Sequence, residues 1–269
     1  MKWVIQEFLN HNESVERMRK AVIRRDQESL LVRLNRDDSL TVLDAESRLP
    51  LDDSDIILDD FFSDGHITWY GSKRFDKVLQ RLQVKPGSFT NENFDMTVIR
   101  EEMGEELLNS DFLIGELHEL EPEWDAFFIR PTGNTKLFGG MVVTKEEFHE
   151  WQERERHQES SYQGQFLMIS ELKEIEAEYR FFVVDGRVIT GSSYKVDGQL
   201  NTNVIPSDAV VSYAQRMVER FALADAFVID VAETKQGLRV VEYNNLNTAG
   251  LYRCDEMTIV TALNDCICR

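Results

Sequence analysis

Apolar positions along this chain fall in short blocks, each closed by Gly, Pro, Asp or Ser. Trp3-Val4-Ile5-Gln6 reads as a strand, and from Ser14 onward Val15, Met18, Val22 and Ile23 recur at helical spacing, with Ser14 placed as the cap. Residues 29–34 read as a second strand. The compact run Asp55-Ile56-Ile57-Leu58, set between an acidic stretch and the turn Ser63-Asp64-Gly65, reads as a third. A strand, helix, strand, strand order predicts a small α/β unit with a largely parallel sheet. Residues 71–82 carry helical spacing in Phe75, Val78, Leu79 and Leu82, and Lys85-Pro86-Gly87-Ser88 breaks it, which places a boundary near residue 90.

Beyond that boundary the stretch 97–109 fits a helix burying Val98, Met103, Leu107 and Leu108, although Gly104 costs it about 1 kcal/mol relative to Ala. A strand over 126–130 stops at Pro131, and a polar turn through Thr135 leads to a partner strand over 136–143. Thr144 and Glu147 form a capping box, and Phe148 and Trp151 begin the buried face of a helix that frays near Gln158. Residues 166–169 are a fully apolar strand, and 179–184 pairs with 187–190 across Asp185-Gly186. Ser207 caps a helix whose buried face is Val210, Tyr213, Ala214, Met217, Val218 and Phe221. A last hairpin joins 226–231 to 238–242 over Lys235-Gln236-Gly237. There is no internal repeat. The expected class is α+β: an α/β lead-in over 1–90, then antiparallel strands with helices over 91–269.

A chain of 269 residues is long enough for two domains, and 42% hydrophobic with 29% charged residues marks a folded globular protein. Forty-nine Asp and Glu against 30 Lys and Arg give a net charge of −19, which repels nucleic acid, so none is expected as a partner. Imitation of DNA or binding of a basic partner remains open, but the acidic residues alternate with apolar ones and form no long block. No apolar run approaches the roughly 18 residues of a spanning helix, and Met1-Lys2-Trp3-Val4-Ile5 lacks the pattern of a signal peptide. The expectation is a cytoplasmic protein with no membrane partner. Cys254, Cys266 and Cys268 lack the paired spacing of a zinc site, and His11, His66, His118, His149 and His157 are scattered. Neither a GxxxxGK(S/T) loop nor a GxSxG elbow occurs.

The sharpest chemical feature is the last hairpin. Asp230 ends one apolar strand and Glu242-Tyr243-Asn244 ends its partner. If the strands pair across the turn, Asp230 approaches Glu242, and Glu242 and Asn244 point to one face. Two carboxylates and an amide, with positions left for phosphates and water, suit Mg²⁺ or Mn²⁺. The competing reading is a solvated strand end that happens to carry acids.

Phe227-Val228-Ile229-Asp230-Val231 followed by Val240-Val241-Glu242-Tyr243-Asn244 resembles the C-terminal signature of the ATP-grasp superfamily. The stretch from Glu178-Tyr179-Arg180 through Asp185-Gly186-Arg187-Val188 resembles its acidic-x-Arg strand and hairpin, so the likeness spans roughly residues 125–250. The segment from Phe128-Ile129-Arg130 to Phe138-Gly139-Gly140 is similar to a divergent branch found in bacteria and their phages. The resemblance implies ATP between two α+β subdomains, about 91–165 and 166–269. Adenine would lie at a hinge near Met168, Ser170, Glu171 and Leu172, with the phosphates beneath a strand-turn-strand lid. Arg130 and Lys136 stand where phosphate-binding lysines are expected; Arg for Lys is a departure, but guanidinium also binds phosphate oxygens. Glu178 would orient a ribose or substrate group, Arg180 would face the γ-phosphate or an acyl-phosphate, and Lys195 would add a cation. For Glu178 and Arg180 the alternative is an exposed cross-strand ion pair. Asn247, Thr248 and Gly250 lie where the family's substrate loop passes.

The resemblance thus implies an enzyme: an ATP-dependent ligase joining a carboxylate to an amine through an acyl-phosphate, with ATP and Mg²⁺ as cofactors and small-molecule, peptide or protein substrates. Two alternatives stand beside it, a non-catalytic acidic interaction protein on the same scaffold and a kinase that phosphorylates a hydroxyl. Trp3, Phe61, Phe62, Trp69 and Tyr70 form either ordinary core or a face for a substrate or a homodimer.

Overall fold

Three sheets organise the chain in the computed structural model, which describes residues 1–10, 12–133, 138–156 and 162–267. The first contains β1 (Lys2–Glu7), β2 (Ser29–Leu34), β3 (Leu40–Leu43), β4 (Ile67–Tyr70) and β5 (Pro86–Gly87), in the order β3-β2-β1-β4-β5. All neighbours are parallel except β2 and β3. Trp3 to Gln6 are buried because the central strand of a parallel sheet is covered on both faces. One face packs α1 (Glu13–Arg24) and the C-terminal helix against Trp3 and Ile5; the other packs α2 (Ser54–Phe62) and α3 (Lys73–Leu79) against Val4 and Trp69.

Two local expectations give way here. Residues 55–58 are helical, not a strand: Leu58 and Phe61, three apart, form the buried face, a period that a four-residue apolar run is too short to display. The cap of α1 is Asn12, whose side chain accepts from the Val15 amide, while the Ser14 hydroxyl accepts from the distant Leu251 amide.

Next come α4 (Met96–Met103), β6 (Leu113–Glu116), β7 (Ala126–Pro131), β8 (Met141–Thr144), α5 (Lys145–Arg156) and β9 (Phe166–Glu171). The helix expected over 97–109 ends at Gly104, whose φ of +55° lies in the left-handed region that glycine tolerates, and a 3₁₀ turn follows. The second sheet runs β6-β9-β7-β8, with Phe148 and Trp151 of α5 packed on Phe127, Ile129, Leu167 and Ile169. The capping box forms: Thr144 Oγ1 accepts from the Glu147 amide at 3.2 Å, and Glu147 Oε2 accepts from the Thr144 amide at 2.8 Å. The expected start of β8 at Lys136 and the fraying near Gln158 fall outside the described residues. Strand β9 hydrogen-bonds to β6 and β7 and so lies in this sheet, although a division at 165/166 assigns it to the strands that follow.

The third sheet, antiparallel, has the order β12-β11-β10-β13-β14, from β10 (Ala177–Val184), β11 (Arg187–Val196), β12 (Gln199–Leu200), β13 (Ala226–Thr234) and β14 (Gly237–Asn244). The helix α6 (Asp208–Arg220), capped by Ser207, covers one face together with α4. On the other face Phe182, Val184, Ala226 and Val228 join Trp3, Ile5, α1 and the C-terminal helix α7 (Glu256–Ile267) in one continuous core. Trp3, Phe61, Trp69 and Tyr70 are buried and Phe62 packs against them, so this aromatic group is core. Among the described residues no helix is long and apolar enough to cross a membrane.

Candidate active site

Register places the site. Arg180 on β10 lies opposite Asp230 on β13, which lies opposite Glu242 on β14, so three adjacent strands bring a cation and two carboxylates into one row. The two-residue period keeps Glu178 beside Arg180 and Asn244 beside Glu242 on their faces. Asp230 is in mid-strand with 0% exposure, not at a solvated strand end. Arg180 Nε and Nη2 donate to its two carboxylate oxygens at 2.8 and 2.6 Å. Burial pushes the Asp230 carboxyl up to about 6 against the pull of Arg180. Burial also works against the Arg180 guanidinium, but Asp230 outweighs it and the group is raised. Arg180 therefore faces Asp230 rather than the open cleft, with its guanidinium against the rings of Tyr194 and Tyr252, at 5.4 and 5.1 Å.

Glu242 has its own cation: Arg130 Nη1, from β7 in the second sheet, donates to Oε2 at 2.6 Å. Burial would raise this carboxyl, yet Arg130 and the hydrogen bond from Asn244 leave it lowered. The Asn244 amide nitrogen donates to Asp230 Oδ2 at 3.1 Å and to Glu242 Oε1 at 3.0 Å, so it sits between the two carboxylates. Glu178 is buried and accepts from Lys195 Nζ at 3.0 Å and from the Tyr194 hydroxyl. The exposed Glu178–Arg180 pair does not form: both side chains are buried and each has a different partner.

A cleft of about 480 Å³ lies beside this row. Phe128, Phe138 and Val142 are its apolar lining; Glu171 pairs with Phe127 on β7, and Arg130, three residues further along that strand, meets Glu242. Arg130, Glu171, Leu172, Glu178, Lys195, Glu242 and Asn244 all line it, whereas Met168, Ser170, Arg180 and Asp230 do not. Met168 is in the core, and Ser170 is buried with its hydroxyl unpartnered. Lys136 lies outside the described residues. Several lining residues escaped sequence reasoning, among them Lys173, Tyr194 and Lys73. Tyr194 follows Ser193 in a strand that shows no chemical motif, and Lys73 comes from the α/β layer, where the only signal is a lysine just after the capping residue Ser72.

The loop after β14 is structural as well as adjacent. Asn245 Nδ2 donates to Asp76 Oδ2 of α3 at 3.0 Å. Asn247, fully buried, accepts from the Phe89 amide at 2.9 Å and donates to the Trp69 carbonyl at 2.8 Å. Gly250 presents its carbonyl to Arg180 Nη1 at 3.4 Å, and Thr248 Oγ1 donates to the Asn245 carbonyl at 3.4 Å.

Among the described residues no three His, Cys, Asp or Glu side chains cluster as a metal cage. Two carboxylates and one amide do converge, and they fit a hard divalent cation that takes its remaining ligands from phosphates and water. The Asn244 nitrogen now stands between the acids as a partial positive charge; turned over, the same amide offers its oxygen. The cleft also fits a nucleotide in chemistry, since apolar side chains share its lining with Lys73, Arg130, Lys173 and Lys195.

A family model described as ATP-grasp domain, R2K clade family 3, matches residues 80–263, more than half of the chain. No curated protein sequence matches. Among solved structures, the RimK domain protein ATP-grasp from Sphaerobacter thermophilus is 12% identical, with a TM-score of 0.59 and coverage of 92% of each chain. The D-alanyl-alanine synthetase A from Vibrio cholerae is 11% identical, with a TM-score of 0.61, over 100% of this chain and 98% of its own. A D-alanine–D-alanine ligase from Bacillus anthracis, complexed with ATP, is 10% identical, with a TM-score of 0.57, over 90% of this chain and 84% of its own. At such identities the likeness is one of fold. With the family model covering both the Arg180 strand and the Asp230–Glu242–Asn244 hairpin, the chain belongs to the ATP-grasp domain family, R2K clade family 3.

Proposed function

We propose that the protein is an ATP-dependent ligase that joins a carboxylate to an amine, with Mg-ATP in the cleft between the second and third sheets. The observation that carries this reading is that Glu242 and Asn244 line the cleft, with Asp230 buried beside them and joined to both through the Asn244 amide. The ATP-bound Bacillus anthracis ligase and the Vibrio cholerae synthetase, which share the fold, support it.

Asp230, Glu242 and Asn244 would hold Mg²⁺. When bound, the ion offsets the charge of the phosphates and helps align the one that is transferred. Arg130 would exchange Glu242 for a phosphate oxygen, a change that guanidinium makes without losing its charge. Arg180 would keep Asp230 oriented and ionised from behind. The backbone at Glu171 and Leu172 offers donors and acceptors for an adenine edge, and Glu178 with Lys195 offers a polar pair for ribose or substrate. Phosphorylating a carboxylate turns a poor electrophile into an acyl-phosphate that an amine can attack, a route that needs positioning and charge but no side-chain nucleophile.

The test is calorimetric titration of a non-hydrolysable ATP analogue with and without Mg²⁺, on the wild type and on the double variant Asp230→Asn/Glu242→Gln. Magnesium-dependent binding that the double variant loses supports the reading, and a screen of carboxylate and amine pairs for ADP release then seeks the substrates. Absence of binding by the wild type under every metal condition overturns it.

A further inference from the structure

The lysines and arginines that line the cleft are unequal. Arg130 is paired with Glu242 at 2.6 Å, Lys173 with Glu171 at 2.7 Å and Lys195 with Glu178 at 3.0 Å. Those pairs use all the described carboxylates of the lining, and each cancels in charge. Lys73 is left over: among the described residues no carboxylate lies within 4.0 Å of its ammonium. The charged groups acting on it are Glu242, Arg130 and, from its own helix, Lys77, so the carboxylate and guanidinium nearest to it electrostatically are those of the Arg130–Glu242 pair.

Its position is also fixed. The Gly71 amide donates to the Asn247 carbonyl at 2.9 Å and the Ser72 amide to Gln6 Oε1 at 2.7 Å, while Asn245 holds Asp76 one turn further along α3. Asn245 directly follows Asn244, so the strand end that carries Glu242 and Asn244 and the turn that carries Lys73 form one hydrogen-bonded unit. Lys73 lies outside residues 80–263, which the family model covers.

We infer that Lys73 binds the terminal phosphate of the nucleotide, a cation supplied to the phosphate end of the cleft by the α/β layer. This rests on the nucleotide reading of the cleft. An exposed ammonium with no carboxylate partner, with Arg130 and Glu242 acting on it, is free to take an anionic phosphate oxygen without first giving up another partner. Desolvation leaves the Lys73 ammonium lowered, Arg130 adds to this, and Glu242 opposes it, in keeping with a group that lacks its anion.

The experiment compares the full-length wild type, Lys73→Met and Lys73→Arg by calorimetry, titrating the β,γ-imido analogue of ATP and, separately, ADP, both with Mg²⁺. Lys73→Met is expected to bind the analogue at least tenfold more weakly and ADP within twofold of the wild type, with Lys73→Arg recovering most of the loss. Its thermal midpoint should stay at the wild-type value, because the side chain is exposed to the cleft. Wild-type affinity of Lys73→Met for the analogue overturns the assignment alone, and so do equal losses for the analogue and ADP. A wild type that binds neither nucleotide overturns the nucleotide reading and the assignment with it.

Discussion

Arg130 and Glu242 stand 112 residues apart in the chain and 2.6 Å apart in space, joining the second sheet to the third across the cleft. Both groups have a second use in the proposed reaction, Glu242 for Mg²⁺ and Arg130 for phosphate, so in the free protein each occupies the other. Nucleotide without metal must compete with Glu242 for Arg130. Glu242→Gln should therefore bind metal-free ATP more tightly than the wild type, by roughly fivefold for the loss of an ion pair contributing about 1 kcal/mol, while Mg²⁺ no longer improves binding. Titrations of both proteins with and without Mg²⁺ check this; tighter binding by the variant in the presence of metal would show that Glu242 does not contact the ion.

Part of the Asp230–Glu242–Asn244 row is legible in the sequence, because two apolar runs around a short turn must pair and the period of two puts Glu242 and Asn244 on one face; the register that sets Asp230 opposite Glu242 comes from a bulge at Asp230/Val231, which shifts the pairing set at the turn by one residue. Nothing local announces which cation meets which carboxylate. Glu178 and Arg180 look like partners because they are two residues apart, yet each turns to a neighbouring strand, Glu178 to Lys195 and Arg180 to Asp230. The helical turn at Ile56-Ile57-Leu58 is misread because a short apolar run shows no period, and Lys73 is missed because its chemistry arises only when the α/β layer meets the loop after β14.

The Arg180–Asp230 pair is the most buried ion pair of the site, with side-chain exposures of 10% and 0%. Removing the cation leaves a carboxylate with no water and no counter-charge, so Arg180→Met should destabilise the protein by about 3–5 kcal/mol near pH 8. The deficit should shrink in acid. Without Arg180 the already raised carboxyl rises further, the folded state holds the Asp230 proton more tightly than the unfolded chain, and stability is gained as pH falls through the folded value. Chemical denaturation of the variant at pH 8 and pH 5 reads this directly, and a deficit that does not narrow would place the cost elsewhere.

In the wild type the Asp230 carboxyl at about 6 predicts the acid limit of magnesium binding. A divalent cation binds the ionised form, so below about pH 6 it must displace a proton, and apparent affinity should fall about tenfold per pH unit, with a plateau above. Glu242, held low by Arg130, adds no second step in this window. Titrations of Mg²⁺ with the ATP analogue from pH 5 to 8, in buffers of different ionisation enthalpy and set against the same titrations of the nucleotide alone, whose terminal phosphate also ionises in this window, should show close to one additional proton released at pH 5 and none at pH 8.

Asn247 gives the strongest stability prediction at the junction between the α/β layer and the third sheet. Its side chain has 0% exposure, accepts from the Phe89 amide, and donates to Thr68 Oγ1 and to the Trp69 and Gly87 carbonyls. Asn247→Ala would leave the Phe89 amide and the Trp69 carbonyl without this partner in a space closed to water, where each orphaned group costs about 1–3 kcal/mol. A loss of about 3–5 kcal/mol is expected, measured by denaturant unfolding. The Asn247 side chain bonds the Trp69 carbonyl and its own carbonyl accepts from the Gly71 amide, just before Lys73, so the variant should also weaken the ATP analogue more than ADP at a temperature where it is still fully folded. A destabilised variant with unchanged preference for the analogue would mean that α3 keeps its place without the Asn247 side chain, held by Asn245 on Asp76, the Ser72 amide on Gln6 and the Gly71 amide on the Asn247 carbonyl.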